Sequence, residues 1–173
     1  MARAFIGVGS NVRPGENFRK AIKLLGLRLR IVAISTVYLT EPEGRPEQPP
    51  FYNGVVEVET ELPPRELKLS VLREIELRLG RARHEDKCAP RTIDLDLLLY
   101  DDVVESTDDL TLPDPQIETR PFLAVPLHEL APKMKLPGAG RSIAEIAAAF
   151  SSHNMRPLDD YTKALRRELR YGP

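Results

Sequence analysis

Cysteine is almost missing from this sequence: the only one among 173 residues is Cys88. A single cysteine excludes an internal disulfide and a zinc site built from cysteines. It also favours a reducing compartment, so we expect a cytoplasmic protein. No apolar stretch is long enough to cross a bilayer, and the first residues do not resemble a signal peptide, so we expect no membrane contact.

An excess of either charge is also lacking. Lysine and arginine number 25 and aspartate and glutamate 26, which gives a net charge of −1. The molecule therefore has no general attraction for nucleic acid, and any phosphate ligand requires a local basic cluster. Two glycine signatures for nucleotides are absent as well. There is no Gly-Lys-Ser/Thr loop, and Val12 stands where a dinucleotide fingerprint after Gly7 and Gly9 requires glycine.

The composition that remains, 42% apolar and 29% charged residues, predicts one soluble domain over residues 1–173. Apolar and β-branched runs predict strands at 4–8, 27–38, 51–60 and 90–100. A helical stripe begins at Phe18 and should end at Gly26, and a second helix follows Pro63-Pro64 and should end at Gly80. Residues 40–50 contain four prolines and predict an irregular segment.

The resulting order is strand, helix, strand, strand, helix, strand. It predicts a ferredoxin-like βαββαβ fold of the α+β class, an antiparallel sheet with its helices on one face. Additional C-terminal helices are expected at 121–130, at 143–150 behind a Ser142 and Glu145 capping box, and at 158–170. Residues 158–173 would lie on the outside of the domain or contact another chain.

The most informative stretch is residues 90–100, whose sequence is PRTIDLDLLLY. Side chains alternate along a strand, so one face should carry four apolar residues, Ile93, Leu95, Leu97 and Leu99. Asp94 and Asp96 then share the other face, with α-carbons ~6–7 Å apart. Two carboxylates held in this way can bind hard cations such as Mg²⁺. The alternative is that they only form the wet face of a half-exposed strand.

The second strand of interest, 51–60, places an aromatic residue and an amide, Phe51 and Asn53, on the same open face as the acidic pair. Three arginines lie close in sequence to the pair: Arg81, Arg83 and Arg91. Clustered acidic and basic groups suit metal-assisted phosphate chemistry. Each arginine taken alone is equally well explained as a solvated surface charge.

Taken together, these stretches resemble the 6-hydroxymethyl-7,8-dihydropterin pyrophosphokinase family of folate biosynthesis, from residue 5 to about 132. The 90–100 stretch is very near the family signature. The other matching motifs are Gly9-Ser10-Asn11, Phe51-Tyr52-Asn53, Gly80-Arg81-x-Arg83, Leu110-Thr111-Leu112-Pro113 and Arg120-Pro121-Phe122. Several motifs in the right order are far more specific than any one of them.

The resemblance implies transfer of pyrophosphate from ATP to the pterin hydroxymethyl oxygen, with attack at the β-phosphorus and release of AMP. It implies two Mg²⁺ ions held by Asp94 and Asp96, with Arg81 and Arg91 as further catalytic residues. Other positions match the family's nucleotide side: Leu69, Arg73, Glu76, Arg83, Leu97, Leu110, Thr111 and Arg120. Positions matching its pterin side are Gly9, Thr40, Glu41, Glu43, Phe51, Asn53 and Phe122. Considered alone, Phe51, Phe122, Leu69 and Leu97 would also fit an apolar core.

The chain departs from the family pattern near the ligands. Cys88 stands where many members carry a tryptophan, Asp114 where a histidine is common, and His84 where a lysine is common. Glu41 and Glu43 replace apolar or proline residues of the pterin loop. These departures leave the acidic pair intact and are expected to affect affinity and rate.

Two other functions remain open at this point: a non-catalytic ferredoxin-like binding module, and a degenerate family member that binds ATP or pterin without efficient transfer. Partners would be the two small substrates and no nucleic acid, with the protein a monomer or homodimer. The polar, irregular composition of residues 9–14, 40–50 and 81–90 predicts loops that close after ATP binds.

Overall fold

The computed structural model describes residues 1–81 and 90–170, and its central element is an antiparallel sheet. The strands run in the order β5-β1-β4-β3-β8, and β2 also pairs with β4. Their bounds are β1 Ala2–Ser10, β2 Arg30–Ile34, β3 Tyr38–Thr40, β4 Phe51–Thr60, β5 Asp94–Tyr100 and β8 Arg156–Pro157. A separate hairpin is formed by β6 Glu105–Ser106 and β7 Thr111–Leu112.

Helices pack on both faces of this sheet, so the fold is a mixed α/β arrangement. Their bounds are α1 Pro14–Arg28, α2 Pro64–Glu66, α3 Arg73–Arg78, α4 Pro121–Leu130, α5 Ile143–Ala148 and α6 Asp159–Arg170. A π-helical segment, Leu67–Leu72, joins α2 to α3, and a 3₁₀ turn, Pro115–Glu118, precedes α4. Among the described residues, no helix combines the length and apolarity that crossing a bilayer requires.

The first core lies between the sheet and the helices α1 and α3. Its centre includes Phe18 and Ile22 of α1, Ile75 of α3, and Leu95 and Leu97 of β5, all at most 4% exposed. This confirms the helical stripe that begins at Phe18. The helix itself continues past Gly26 to Arg28, so the predicted end at Gly26 is wrong. An exposed glycine costs a helix only about 1 kcal/mol, which the buried stripe offsets.

The second core covers part of the opposite sheet face, which the sequence predicted to be open. Leu123 and Leu127 of α4 and Ile143 of α5 pack there against Phe5 and Val55 of the sheet. The predicted helix at 121–130 is confirmed, and the Ser142–Glu145 capping box starts α5 as expected. The residues after β5 therefore add a second helical layer, which leaves only one end of this face uncovered.

The prediction that Leu99 shares a face with Leu95 and Leu97 is wrong. β5 pairs with β1 through Phe5↔Leu99 and Ile6↔Leu97, so the register shifts between these two pairs. Such a bulge adds one residue to one strand and reverses the alternation beyond it. Leu99 consequently packs with Phe5 in the second core.

The predicted strand at 27–38 is also wrong as one element. It forms two strands, β2 and β3, separated by residues 35–37. The break is stabilised by hydrogen bonds from Ser35 N to Val55 O (2.9 Å) and from Val37 N to Thr162 Oγ1 (3.0 Å). The second bond comes from α6, so the break depends on a helix far away in sequence.

The C-terminal helix α6 packs on the chain's own α1. Tyr161 donates a hydrogen bond to Gly15 O (2.7 Å), and Arg19 forms an ion pair with Glu168 (2.8 Å). Arg166 donates two hydrogen bonds to Ile34 O at the end of β2. These contacts tie the last helix to the sheet edge.

Candidate active site

A cavity of about 570 Å³ opens where β1, β4 and β5 meet the uncovered end of the second sheet face. Most of the site residues predicted from sequence line it. They are Gly9, Thr40, Glu41, Glu43, Phe51, Asn53, Arg81, Arg91, Asp94, Asp96, Arg120 and Phe122. The structure therefore brings the expected acidic pair, arginines and pterin-side residues into one place.

The remaining predicted residues lie outside this lining or outside the described residues. Leu97 and Leu110 are buried in the first core, at 4% and 2% exposure, as their apolar character also allows. Glu76 is on α3, where it contacts Arg81. Leu69, Arg73 and Thr111 lie on the helical stretch 67–78 and on β7. Arg83, His84 and Cys88 fall in residues 82–89, outside the described part of the chain.

Two glycines of β1, both paired with the acidic strand, make room for side chains of β4 and α4. Gly9 pairs with Asp94 and Gly7 with Asp96. A Cβ on Gly9 would come within 2.6 Å of Asn53 Oδ1, and a Cβ on Gly7 would come within 3.1 Å of Leu123 Cδ2. The absence of a side chain at Gly9 therefore lets the Asn53 amide extend across β1 towards the acidic pair.

Asp94 is held by two guanidinium groups. Arg81 Nη1 lies 2.8 Å from its Oδ1, and Arg91 Nη1 lies 2.5 Å from its Oδ2. Arg81 also forms an ion pair with Glu76. Arg81 is 25% exposed and Asp94 16%, so these pairs are partly shielded from water. The arginines expected to bind phosphate are thus paired with Asp94 in this structure.

Asp96 lies beside Asp94 without a comparable charge partner in the described contacts. Burial, and then the neighbouring charges of Asp94 and Asp114, raise its pKa to about 7, while Arg81 and Arg91 act in the opposite direction. Burial also raises the pKa of Asp114, at the start of the 3₁₀ turn. A nearby cation would stabilise the ionised form of Asp96, because its positive charge offsets the cost of burying the carboxylate and the repulsion from Asp94 and Asp114.

The acidic pair fits Mg²⁺ by its donor chemistry. Both side chains offer hard carboxylate oxygens from one face of a strand, and Mg²⁺ is bound in proteins through one or two carboxylates with the other positions taken by phosphate and water. Within residues 1–81 and 90–170, no group of three or more metal-ligating side chains is assembled. Any Mg²⁺ bound there would take its remaining oxygens from phosphate or water.

Polar and aromatic groups occupy the other wall of the cavity. Asn53 Nδ2 donates a hydrogen bond to Thr40 Oγ1 (2.7 Å), and both residues are at most 8% exposed. Phe51, at the end of β4, and Phe122, in the first turn of α4, also line the cavity. An amide fixed by a hydroxyl, with aromatic rings nearby, suits a flat heterocycle with polar edges.

Three polar residues in or beside the cavity were not assigned a role from the sequence: Asn11, Gln48 and Gln116. Asn11 is 1% exposed and joins two segments, accepting from Arg91 N (2.7 Å) and donating to Gln48 Oε1 (3.0 Å). Gln48 and Gln116 line the cavity. The Gly9-Ser10-Asn11 motif was the feature of the sequence that could have identified Asn11 as a site residue.

Comparison with known proteins adds a sequence relationship to this geometry. The family model described as 7,8-dihydro-6-hydroxymethylpterin-pyrophosphokinase matches residues 5–132. A 2-amino-4-hydroxy-6-hydroxymethyldihydropteridine pyrophosphokinase from Pseudomonas aeruginosa is 37% identical over 150 residues, covering 85% of this chain and 91% of the relative. The protein of the same name from Haemophilus influenzae is 36% identical over 162 residues, covering 92% and 99%.

Solved structures show the same fold at lower identity. The wild-type HPPK-DHPS of Plasmodium falciparum superposes with a TM-score of 0.67 at 15% identity over 88% of this chain. The chain spans only 44% of the length of that protein. At this identity, the likeness concerns the fold alone.

Proposed function

This chain belongs to the 7,8-dihydro-6-hydroxymethylpterin-pyrophosphokinase family, and we propose that its acidic pair and arginines carry out pyrophosphate transfer from ATP to 6-hydroxymethyl-7,8-dihydropterin. The reaction leaves AMP, forms the pterin pyrophosphate and is a step of folate biosynthesis. The assignment of residues rests on one observation: Asp94, Asp96, Arg81, Arg91, Arg120 and Asn53 line the same cavity.

The acidic strand and its arginines form the phosphate side of this proposal. Asp94 and Asp96 would hold two Mg²⁺ ions, which when bound neutralise charge on the transferring phosphates. Arg81, Arg91 and Arg120 bind phosphate oxygens, for which planar guanidinium groups are well suited. Because phosphoryl transfer depends mainly on positioning and charge neutralisation, these residues need only hold the β-phosphorus in line with the pterin oxygen.

The opposite wall receives the pterin in this proposal. Phe51 and Phe122 contact the two faces of the ring, and Asn53, fixed by Thr40, meets its donor and acceptor edge. Gly9 leaves room for the amide, and Glu41 and Glu43 lie at the rim of the cavity. The ring is thereby oriented with its hydroxymethyl group towards the phosphates.

The nucleotide side extends beyond the described cavity. We place the adenosine part of ATP along Leu69, Arg73, Glu76 and Thr111, with Leu97 and Leu110 as the apolar floor behind them. Arg83 belongs to this side by its position in the motif. Closure of the irregular segments 11–13 and 41–50 over bound ATP would exclude water from the transfer. The third predicted loop, at 81–90, falls almost entirely in residues 82–89, outside the described part of the chain.

We also propose that the sheet and its first helices form a ferredoxin-like unit. Strand order β5-β1-β4-β2, with α1 and the 64–78 helical stretch on one face, supports a ferredoxin-like βαββαβ unit. Helices α4, α5 and α6 would be additions to this unit within one domain. We propose that the protein acts in the cytoplasm as a monomer or homodimer.

A coupled assay for AMP release tests the function. We expect AMP only when ATP, the pterin and Mg²⁺ are all present. Asp94→Asn and Asp96→Asn should each lower kcat by at least about 100-fold with unchanged circular dichroism, because charge stabilisation at the phosphates is the main source of catalysis. Asp102→Asn, in an exposed turn after β5, is the matched control and should keep full activity.

Two results would overturn this assignment. AMP release that does not require the pterin would indicate a different acceptor. Tight binding of both substrates with no AMP formed would indicate a binding module or a degenerate family member.

A further inference from the structure

Glu43 and Arg120 form an ion pair across the mouth of the cavity. Glu43 Oε2 lies 2.6 Å from Arg120 Nη1, and the two residues are 77 positions apart in sequence. Arg120 immediately precedes α4, whereas Glu43 lies in residues 41–50, which we call the rim segment. The pair therefore connects an irregular segment to the start of a packed helix.

The two ion-pair partners of Arg81, another arginine of the cavity, are placed differently. Arg81 pairs with Glu76 on α3 and with Asp94 on β5, and both of these carboxylates are on regular elements. Glu43 has a side chain 60% exposed, and Gly44 follows it with φ +73°, a left-handed conformation that turns the chain sharply. The carboxylate of Glu43 can therefore leave Arg120 without disturbing a helix or strand.

The far end of the rim segment has a separate anchor. Gln48 Oε1 accepts a hydrogen bond from the buried Asn11 amide at 3.0 Å. The segment is thus attached at Glu43 by an exposed ion pair and at Gln48 by a hydrogen bond to a residue that is 1% exposed. Release at Glu43 leaves the hydrogen bond at Gln48 in place.

The Glu43 carboxylate occupies Nη1 of Arg120, which is one of the donors that a phosphate would use. Carboxylate and phosphate oxygens bind guanidinium groups in the same planar manner, so the two compete for one side chain. We propose that Glu43 is an internal competitor of the substrate phosphates: its carboxylate holds Arg120 and the rim segment in the ligand-free protein, and ATP binding displaces it. This inference rests on the proposed function, in which Arg120 binds phosphate.

Phosphate binding at Arg120 and the position of the rim segment are then coupled, so that each affects the other. Any ligand that removes Arg120 from Glu43 ends this attachment of the rim segment, and a rim segment without this attachment leaves Arg120 available for phosphate. The pair is largely exposed, and exposed pairs are weak, so we expect its removal to tighten nucleotide binding by about two- to fivefold. The effect should shrink at high salt, which screens exposed charges.

The first measurement needs no nucleotide and is independent of the enzymatic assignment. Amide hydrogen exchange is followed over residues 41–50 in the wild type, Glu43→Gln and Arg120→Gln. We expect faster exchange in both variants and no change in Glu47→Gln, which removes an exposed charge from the same segment outside the cavity lining. Unchanged exchange in Glu43→Gln overturns the proposal.

The second measurement is a calorimetric titration with α,β-methylene-ATP and Mg²⁺. Glu43→Gln should bind the analogue about two- to fivefold more tightly, and this gain should vanish when Arg120→Gln is also present. A gain that persists in the Arg120→Gln background would show general relief of negative charge and would overturn the proposal. A protein that passes both tests but releases no AMP would contradict the transfer function while keeping the competition.

Discussion

The Arg81 guanidinium lies 2.8 Å from the Asp94 carboxylate, so a basic group expected to bind phosphate is paired with a proposed metal ligand. Cations that bind Asp94 must compete with this arginine. We therefore predict that Arg81→Gln binds Mn²⁺, used as a spectroscopic substitute for Mg²⁺, several-fold more tightly in the absence of nucleotide. Turnover should fall at least about tenfold, because a phosphate partner is lost.

Electron paramagnetic resonance of free Mn²⁺ measures this affinity. Arg78→Gln, which removes an exposed arginine three residues earlier in the chain, should leave both Mn²⁺ affinity and turnover unchanged. Weaker Mn²⁺ binding in Arg81→Gln would mean that the arginine organises the acidic pair rather than competing for it.

Asp96 predicts an unusual pH dependence of stability. Burial and the charges of Asp94 and Asp114 raise its pKa to about 7, so the folded protein retains a proton that the unfolded chain loses near pH 4. The folded state thus binds more protons between these values, and this residue lowers the free energy of unfolding as pH rises from about 4 to about 7. Asp96→Asn should be more stable than the wild type at pH 8 without metal, by on the order of 1–3 kcal/mol.

Urea unfolding at pH 4.5 and pH 8 in the presence of a chelator checks this difference, with about 4.5 chosen because it lies just above an ordinary aspartate pKa. At the lower pH the two proteins should have similar stability. An Asp96→Asn protein that is less stable than the wild type at pH 8 would contradict the prediction.

Gly9 is predicted to be required for the position of Asn53. An alanine Cβ would lie 2.6 Å from Asn53 Oδ1, so Gly9→Ala must move the amide and break its hydrogen bond to Thr40. We expect a loss of about 1–3 kcal/mol in the free energy of unfolding, and at least about tenfold weaker pterin binding by calorimetry.

The matched control is Gly26→Ala. Its Cβ would meet Ile31 Cδ1 at 3.6 Å, an ordinary contact, within helix α1. Alanine is favoured over glycine in a helix, so this variant should gain about 0.5–1 kcal/mol and keep pterin affinity. Equal behaviour of the two variants would refute the role given to Gly9.

Thr162 of α6 is predicted to stabilise the break between β2 and β3. It is 2% exposed, and its hydroxyl accepts from Val37 N (3.0 Å) and donates to Leu158 O (2.8 Å). Thr162→Val keeps the shape but leaves a buried N–H without this partner, which should cost about 1–3 kcal/mol. Thr162→Ser, which keeps the hydroxyl, should lose clearly less in thermal unfolding. A valine variant as stable as the wild type would show that the strand break is maintained by other contacts.

Local sequence patterns were sufficient where local chemistry decides the structure. β4 occupies the predicted range 51–60, where Val56 and Val58 both point into the first core. The capping box of Ser142 and Glu145 was identified because both partners lie within four residues. The acidic pair and its flanking arginines were identified in the same way, from one short stretch.

Other features depend on parts of the chain that are distant in sequence. The break at residues 35–37 is hydrogen-bonded by Thr162, and the second helical layer forms because α4 and α5 fold back over the sheet. The Glu43–Arg120 ion pair joins positions 77 residues apart. No periodicity within a segment carries information about these contacts, because they arise only from tertiary packing.

The additional residue in β5 gives the two ends of the strand different registers against β1. Before Leu98, the odd-numbered residues of β5 point into the first core, and after Leu98 the even-numbered Tyr100 does so. The face of Asp94 and Asp96 is therefore set independently of the register near Tyr100. A shortening by one residue at Leu98 would remove only the extra residue, so that Leu97 stays opposite Ile6, Leu99 stays opposite Phe5 and the carboxylates keep their face. Changes at the C-terminal end of β5 can therefore leave the position of the acidic pair unaltered.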